Sequence, residues 1–195
     1  MRLAPGARRV AAVPSLLALA LLAVSRVAAL VALLAVVAVL AFYRDPDRTP
    51  DGPGVLSPAD GRVTVVREEG DRLRVGVFMN VTDVHVNRAP MGGTVRTVEH
   101  EPGGHWPAFS KAAERNERRR YAVGEYELVQ IAGVVARRTT SYVQPGDELE
   151  RGERLGHIAF GSRVDVLLPP DVGSGALRVA EGDAVRAGET VLAGR

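Results

Sequence analysis

The sequence contains no cysteine and only one lysine, Lys111, among its 195 residues. The absence of cysteine excludes disulfide bonds, thiolate metal sites and a cysteine nucleophile. An internal aldimine with pyridoxal phosphate would have to use Lys111. Aromatic residues make up only 5% of the chain, so the core must consist mostly of valine, leucine, isoleucine and alanine.

The charges are nearly balanced, with a formal net charge of +2. No block of basic residues resembles a nucleic-acid surface, and the nearest candidate is the arginine run 118–120. A solvated helix face or loop explains that run as well as a lipid-headgroup contact does. We therefore expect no nucleic-acid partner.

The N-terminal part of the sequence is dominated by one apolar stretch. Residues 1–12 are basic, residues 13–43 are almost wholly apolar around Arg26, and residues 44–54 form a linker rich in proline. A membrane-spanning helix needs about 20 apolar residues, which neither half of the stretch reaches alone. Residues 13–43 are therefore the candidate membrane anchor.

Three interpretations of this anchor segment remain open. One is a single membrane helix with Arg26 near an interface. Another is a helical hairpin that enters and leaves the bilayer on the same side. The third is a cleaved signal peptide, although no clear cleavage site precedes a polar segment. Positive charges on both flanks favour the hairpin, attached to the cell membrane with the following domain facing the cytoplasm.

Residues 55–195 show short alternating stretches that predict a mostly β domain. Only residues 111–120 have a helical pattern. The predicted strands are bounded by glycine, proline and aspartate, and they lie at 61–68, 72–79, 93–100, 126–138 and 163–169.

An internal repeat refines the prediction of fold. Segments 145–158 and 181–194 both contain Gly-Asp, four residues and then Gly-Glu. This pattern supplies two tight reversals that flank a short strand. Lipoyl and biotinyl carrier domains use such hairpins, so we predict a barrel-sandwich-like β domain with lipoyl-like hairpins. The glycines are explained by structure, and we assign them no chemistry.

The Gly161–Ser162 pair directly precedes a strand-like run. Such a pair is usually a turn, yet glycine can hold a strained carbonyl that a hydroxyl can approach. Attack of the Ser162 hydroxyl on the Gly161 carbonyl would move the acyl group from nitrogen to oxygen. Elimination from that ester and hydrolysis of the dehydroalanine would leave a pyruvoyl ketone, which can accept electrons as a pyridoxal ring does.

Two histidines, His100 and His105, are separated by a Glu-Pro-Gly-Gly segment and followed by tryptophan. The spacing predicts a loop near the membrane or the substrate entrance. A zinc site would need further ligands at suitable spacing, and the sequence shows none. We therefore assign no metal.

Several motifs in order identify a family. The chain resembles phosphatidylserine decarboxylases, particularly their short form, which includes archaeal archaetidylserine decarboxylases. The resemblance covers nearly all of residues 44–195. It rests on FYRDPDRTP, SPADGRV, FMNVTDVHVNRAPMGGTV, NERRR, QIAGVVARR and RGERLGHIAFGSRVDVLLP.

The resemblance implies that Ser162 becomes the pyruvoyl cofactor after self-cleavage into a β chain, 1–161, and an α chain, 162–195. That group would form a Schiff base with the substrate amine and support decarboxylation of a serine-headgroup phospholipid to the ethanolamine lipid. Asp60 matches the aspartate linked to self-cleavage, where it would orient a histidine base. Without the family, a turn aspartate in Pro-Ala-Asp-Gly is the simpler interpretation.

His85 matches the family histidine implicated in decarboxylation, where an imidazole can donate a proton to the substrate carbon. Strand alternation would place it on a face with Asp83, toward a site or toward solvent. Larger bacterial members carry a second histidine where this chain has Arg88. Either His85 serves both reactions or another group activates Ser162. His157 is one such group, although a surface strand position explains it better.

Four residues are candidates for binding substrate. Arg88 has a guanidinium that suits carboxylate or phosphate, and Asn87, Asn116 and Arg118 lie within family motifs. Neighbouring Glu117 is a further supporting residue. The expected partners are the lipid substrate, the bilayer, the two chains of one precursor and a second copy in a homo-oligomer. The sequence does not distinguish phosphatidylserine from archaetidylserine.

Two other functions compete with this one. A membrane-anchored carrier module would need a lysine at a hairpin tip, whereas Lys111 lies in a helix-like context. A membrane-anchored hydrolase would need a nucleophile elbow or a zinc site, and the sequence has no G-x-S-x-G motif. A carrier keeps one chain, while the decarboxylase yields two.

Overall fold

A computed structural model describes residues 2–104, 106, 115–133, 139–158 and 162–195. The chain divides into two compact units, Met1–Asp47 and Arg48–Arg195. The division falls inside the segment predicted as a linker.

The N-terminal unit is a pair of helices that pack against each other. Helix α1 (Ala7–Leu21) and helix α2 (Arg26–Phe42) are closed at their ends by strands β1 (Arg2–Leu3) and β2 (Arg44–Asp45), which pair antiparallel. The hydroxyl of Ser25 accepts a hydrogen bond from the Ala28 amide at 3.3 Å and caps α2. The apolar segment is therefore two helices and not one.

The surfaces of these helices are strongly apolar. Leucine and valine side chains more than half exposed include Val13, Leu16, Leu19, Val27 and Val31. In the part of the chain that the structure describes, neither helix combines the length and hydrophobicity that crossing a bilayer requires.

The larger unit is mostly β, as the alternating sequence predicts. Each strand predicted from the alternation overlaps an observed strand. The strands are β3 (Val55–Leu56), β4 (Gly61–Glu69), β5 (Arg72–Met79), β6 (Val86–Arg88), β7 (Gly93–Glu101), β8 (Arg118–Val123), β9 (Tyr126–Ile131), β10 (Thr139–Ser141), β11 (Glu148–Leu149), β12 (Arg154–Ile158), β13 (Ser162–Leu167), β14 (Ala184–Val185) and β15 (Val191–Ala193).

Eight of these strands form one antiparallel sheet in the order β11-β7-β8-β9-β13-β5-β4-β14. The remaining strands form a three-stranded sheet, β10-β12-β6, and a pair, β15-β3. A shared core of valine, leucine, isoleucine and alanine joins these sheets, and Tyr121 and Tyr126 are its largest fully buried side chains.

The repeat seen in the sequence is also a repeat in structure. Asp147 and Asp183 each accept a hydrogen bond from the amide three residues earlier, at 2.9 and 2.8 Å. The preceding glycines have φ of 96° in both copies, a conformation that glycine adopts without strain. Strands β11 and β14 pair with the first residues of β7 and β4, which begin at Gly93 and Gly61.

Two predictions of local structure are wrong. The arginine run 118–120 lies in strand β8 instead of a helix, because it pairs with both β7 and β9. The repeated segments are not simple hairpins. Their first strands, β11 and β14, join the large sheet, whereas β12 and β15 join the smaller ones, so each segment crosses between sheets. The wider likeness to barrel-sandwich domains stays a prediction.

Candidate active site

Ser162 is the first residue of β13, the strand held between β5 and β9. Its cross-strand partner on β5 is Met79, and its neighbour Arg163 pairs with Ile131 of β9. The serine is fully buried. Gly161, the other half of the predicted cleavage site, lies outside the described residues.

The hydroxyl of Ser162 makes no hydrogen bond to any residue that the structure describes. Leaving a buried polar group unsatisfied costs about 1–3 kcal/mol. Buried polar groups that lack a hydrogen-bond partner are typical of catalytic sites. The backbone of Ser162 is thus paired with β5 and continues directly into residues paired with both β5 and β9, while its oxygen makes no hydrogen bond within the described residues.

Strand alternation determines which side chains share a face with Ser162. Val164 and Val166 are fully buried with it, whereas Arg163 lies on the opposite face. Arg118 and Arg163 both pair with Ile131, so Arg118 belongs to that opposite face as well. There, Arg118 contacts Glu101 at 3.5 Å. The structure therefore separates Arg118 from the serine.

A row of buried polar side chains lies beside Ser162. The Tyr121 hydroxyl donates to Gln130 Oε1 at 3.0 Å, and Gln130 Nε2 donates to Asn87 Oδ1 at 2.8 Å. Asn87 Nδ2 contacts the sulfur of Met79 at 3.6 Å. Among the four candidate substrate-binding residues, Asn87 is the one that belongs to this row. It contacts Met79, the cross-strand partner of Ser162.

Sequence reasoning gave Gln130 and Tyr121 no role. Gln130 lies within QIAGVVARR, and Tyr121 follows the arginine run directly. The available signal was alternation: Gln130 occupies the same face of β9 as Leu128, a core position where a polar residue needs a partner.

His85 lies immediately before β6 and is 2% exposed, so the interpretation as a surface histidine is wrong. Its Nδ1 is 2.9 Å from the carbonyl oxygen of Asp83. Since a carbonyl only accepts, Nδ1 carries a proton, and Nε2 is the ring nitrogen at which a proton can be gained or lost. The His85 carbonyl accepts a bond from the Ile158 amide at 3.2 Å, four residues before Ser162.

Asp60 is buried, with both carboxylate oxygens engaged. Oδ1 accepts from the Ala187 amide at 2.8 Å, and Oδ2 accepts from Arg48 at 2.7 Å. Burial raises the pKa of Asp60, and the Ala187 amide and the Arg48 guanidinium oppose that rise. The predicted role of orienting a histidine stays a prediction, because His85 Nδ1 contacts the carbonyl oxygen of Asp83.

The turn that carries Asp60 lies close to the serine. A Cβ on Gly61 would collide with the Phe78 carbonyl oxygen and lie 3.2 Å from Met79 Cα. Met79 separates this turn from Ser162 in the sheet. Two inter-strand spacings give a separation of roughly 10 Å between Gly61 and Ser162.

The repeat shows that a turn of this kind can form without a carboxylate. Gly61 pairs with Val185 as Gly93 pairs with Leu149, so Asp60 corresponds to Gly92 in the other copy. That copy forms the same turn with no side chain at this position. A carboxylate in one copy alone indicates a purpose beyond the turn.

Arg88 and Asn116 make structural contacts. Arg88 is 6% exposed and donates to the Gly152 carbonyl at 2.9 Å, on the face of β6 opposite Asn87. The Asn116 amide bridges the Trp106 backbone and the Ala132 carbonyl, at 2.6 to 2.7 Å. Their predicted role in binding substrate stays a prediction.

The other histidines occupy different settings. His157 is 7% exposed, so the expected surface position is wrong. Its Nδ1 is 2.8 Å from the Tyr142 hydroxyl, and burial lowers the pKa of its imidazole. His100 lies in β7 instead of a loop and contacts Glu117 at 3.1 Å. His105 lies outside the described residues.

No cluster of three or more potential metal ligands occurs in the described ranges of the chain. Lys111, the residue on which a carrier function would depend, lies outside those ranges.

Comparison with known proteins agrees with this arrangement. The family model described as phosphatidylserine decarboxylase matches residues 37–193. A Halobacterium salinarum protein, provisionally named as an archaetidylserine decarboxylase proenzyme, is 60% identical over 153 residues, which cover 78% of each chain. Proteins named phosphatidylserine decarboxylase proenzyme include one from Thermobifida fusca, 53% identical over 77% of this chain and 70% of its own. Another, from Streptomyces griseus, is 49% identical over 77% and 71%. The chain belongs to the phosphatidylserine decarboxylase family.

Proposed function

We propose that the chain is a proenzyme that cuts itself between Gly161 and Ser162. The mature enzyme then decarboxylates phosphatidylserine or archaetidylserine to the ethanolamine lipid. The observation that carries the proposal is the buried, uncommitted hydroxyl of Ser162 at the head of β13. Family membership and the word proenzyme in the names of its relatives support it.

The cutting reaction balances with water as its one co-reactant. The Ser162 oxygen bonds to the Gly161 carbonyl carbon, its proton passes to a base, and the amide nitrogen leaves with a proton. The resulting ester loses the Gly161 carboxylate together with the α-proton of residue 162. Water then converts the dehydroalanine to a ketone and releases ammonia.

Residue 162 fits a pyruvoyl group, since it is enclosed, anchored and next to buried hydrogen-bonding amides. When formed, the ketone supplies an electrophile that binds the substrate amine and accepts the electrons released with carbon dioxide. The strand holds this position after the cut, because β13 stays hydrogen-bonded to β5 and β9 along its length. Strands β14 and β15 pair with β4 and β3 and hold the rest of the α chain.

His85 is the proposed proton donor to the substrate carbon that loses carbon dioxide. The Asp83 carbonyl fixes its tautomer, so Nε2 is the atom that exchanges protons. His85 is also the first candidate for the base that activates Ser162, and His157 is the second. Arg88 is not a candidate, because a guanidinium does not give up its proton in proteins.

Replacing Ser162 by alanine tests the mechanism. Ser162→Ala should leave one uncut chain with no measurable lipid decarboxylation, because the cofactor's source is removed. Ser174→Ala, which changes an exposed serine in the same α chain, should process normally. Electrophoresis and carbon dioxide release measure both outcomes. Decarboxylation by purified Ser162→Ala protein would show that the pyruvoyl mechanism is wrong.

Asp60→Asn tests the carboxylate. Asparagine can still accept from the Ala187 amide but loses the charge opposite Arg48, so we expect processing to slow by about tenfold or more. Asp147→Asn, the same substitution at an aspartate whose carboxylate accepts from the Gln144 amide in the Gly-Asp repeat, should process at the wild-type rate. Equal rates for the two variants in a time course of chain cutting would remove Asp60 from the cleavage machinery.

We also propose that the helical pair attaches the enzyme to the cytoplasmic face of the cell membrane. Its exposed leucine and valine side chains suit acyl chains, and arginines at both ends suit anionic headgroups. The catalytic unit would then face the cytoplasm. The competing proposal is that a second copy of the chain covers the same apolar surface, which would give a homo-oligomer.

The double variant Leu16→Asp, Val27→Asp tests this attachment. Each charge placed in an apolar membrane contact costs about 2.5–3.5 kcal/mol, so co-flotation with phosphatidylserine-containing vesicles should fall at least about tenfold. Val81→Asp changes an exposed valine outside the helical pair and should float like the wild type. Unchanged flotation of the double variant would contradict the proposal.

A further inference from the structure

The row formed by Tyr121, Gln130 and Asn87 has a defined direction. All three side chains are fully buried, and each link has ordinary hydrogen-bond length. Burial raises the pKa of Tyr121 to about 12, so its phenol keeps its proton, and that proton is donated to Gln130 Oε1. Gln130 then presents Oε1 to the tyrosine and Nε2 to Asn87.

This direction fixes the amide of Asn87. Because its Oδ1 accepts from Gln130, its NH2 group must point the other way, toward Met79. An NH2 group has two protons, and sulfur is a weak acceptor for one of them. Met79 is the cross-strand partner of Ser162, and Cα atoms of such partners are about 4.5–5.5 Å apart.

The row is also closely enclosed. A Cβ on Gly156 would collide with the Thr140 carbonyl oxygen and lie 3.1 Å from Gln130 Nε2 and 3.2 Å from Tyr121 Oη. The backbone of Gly156 therefore packs directly against the Gln130 amide and the Tyr121 hydroxyl, at a position where a larger residue would displace them. Rotation of either amide would break a buried hydrogen bond, which costs about 1–3 kcal/mol.

We propose that Asn87, held by Gln130 and Tyr121, is a positioning residue for self-cleavage. In the resting uncut chain the Ser162 hydroxyl has no partner among the described residues, and the second amide proton of Asn87 donates to its oxygen only when that oxygen turns toward the preceding carbonyl carbon. The contact then keeps a lone pair directed at that carbon and presents the hydroxyl proton to the base. No atom of Asn87 forms or breaks a covalent bond. The inference rests on the proposed function and replaces substrate binding as the role of Asn87.

The core supplies a matched control for the far end of the row. Tyr126 is, like Tyr121, a fully buried tyrosine, and its hydroxyl makes no hydrogen bond within the described residues. Removing either hydroxyl makes the same chemical change in the same core. Only the Tyr121 hydroxyl is linked to Asn87.

The test compares cutting rates of Tyr121→Phe, Tyr126→Phe and Asn87→Leu, measured on newly synthesised full-length chains below their unfolding temperatures. Tyr121→Phe should cut about tenfold more slowly or worse, and Asn87→Leu should be slower still, because the hydroxyl loses its orientation. Tyr126→Phe should stay within about twofold of the wild type. Thermal unfolding of each variant, made in the uncut Ser162→Ala background, shows that the folded fractions are equal.

A purely structural row would lower unfolding temperatures without changing the rate of cutting by folded chains. Wild-type rates for folded Tyr121→Phe or folded Asn87→Leu would therefore overturn the inference, as would equal slowing of Tyr121→Phe and Tyr126→Phe. Neither result would affect the proposed function, provided that the wild-type chain still cuts. A wild-type chain that remains whole would instead contradict the proposed function.

Discussion

The structure depends on strand β13 being held between β5 and β9. This strand is the centre of the eight-stranded sheet, and its first residue is Ser162. Ser162 pairs with Met79 of β5, and the next residue, Arg163, pairs with both neighbouring strands, while alternation places the serine side chain on the core face. The hydroxyl is thereby buried without a partner among the described residues. The same pairing would hold the two chains together once the bond before Ser162 is cut.

The internal repeat explains how the site is added to this sheet. Two equivalent turns support β4 and β7 from two equivalent crossing segments. One turn carries Asp60 next to the backbone of Met79, and the other carries Gly92 and contributes no charge. The carboxylate is thus an addition to a turn that the fold builds anyway. Arg48 balances its charge, and Ala187 binds its second oxygen.

Much of this could be predicted from the sequence. Alternating valines gave the strands of the large sheet, and Gly-Asp spacing gave the repeated turns. Ser162, Asp60 and His85 were identified through motifs. Helix propensity failed at 118–120, because pairing with two neighbouring strands overrides local preference.

Other features depend on tertiary contacts that cannot be deduced from the sequence. Arg88 and Asn87 are adjacent in sequence, yet they point to opposite faces of β6, and only the pairing of strands decides which face meets the serine. His157 is buried because Tyr142 and the three-stranded sheet cover it. Gln130 and Tyr121 belong to the site through tertiary contacts alone, since their own strands β9 and β8 read as ordinary core strands.

The most direct test of the central claim is the intact mass of the purified wild-type protein before and after borohydride treatment. The account predicts two chains, residues 1–161 and 162–195. The smaller chain should lack the amine expected for an N-terminal serine and should gain the mass of two hydrogens when its ketone is reduced. A single chain of 195 residues, or a smaller chain that begins with an intact Ser162, would contradict the account.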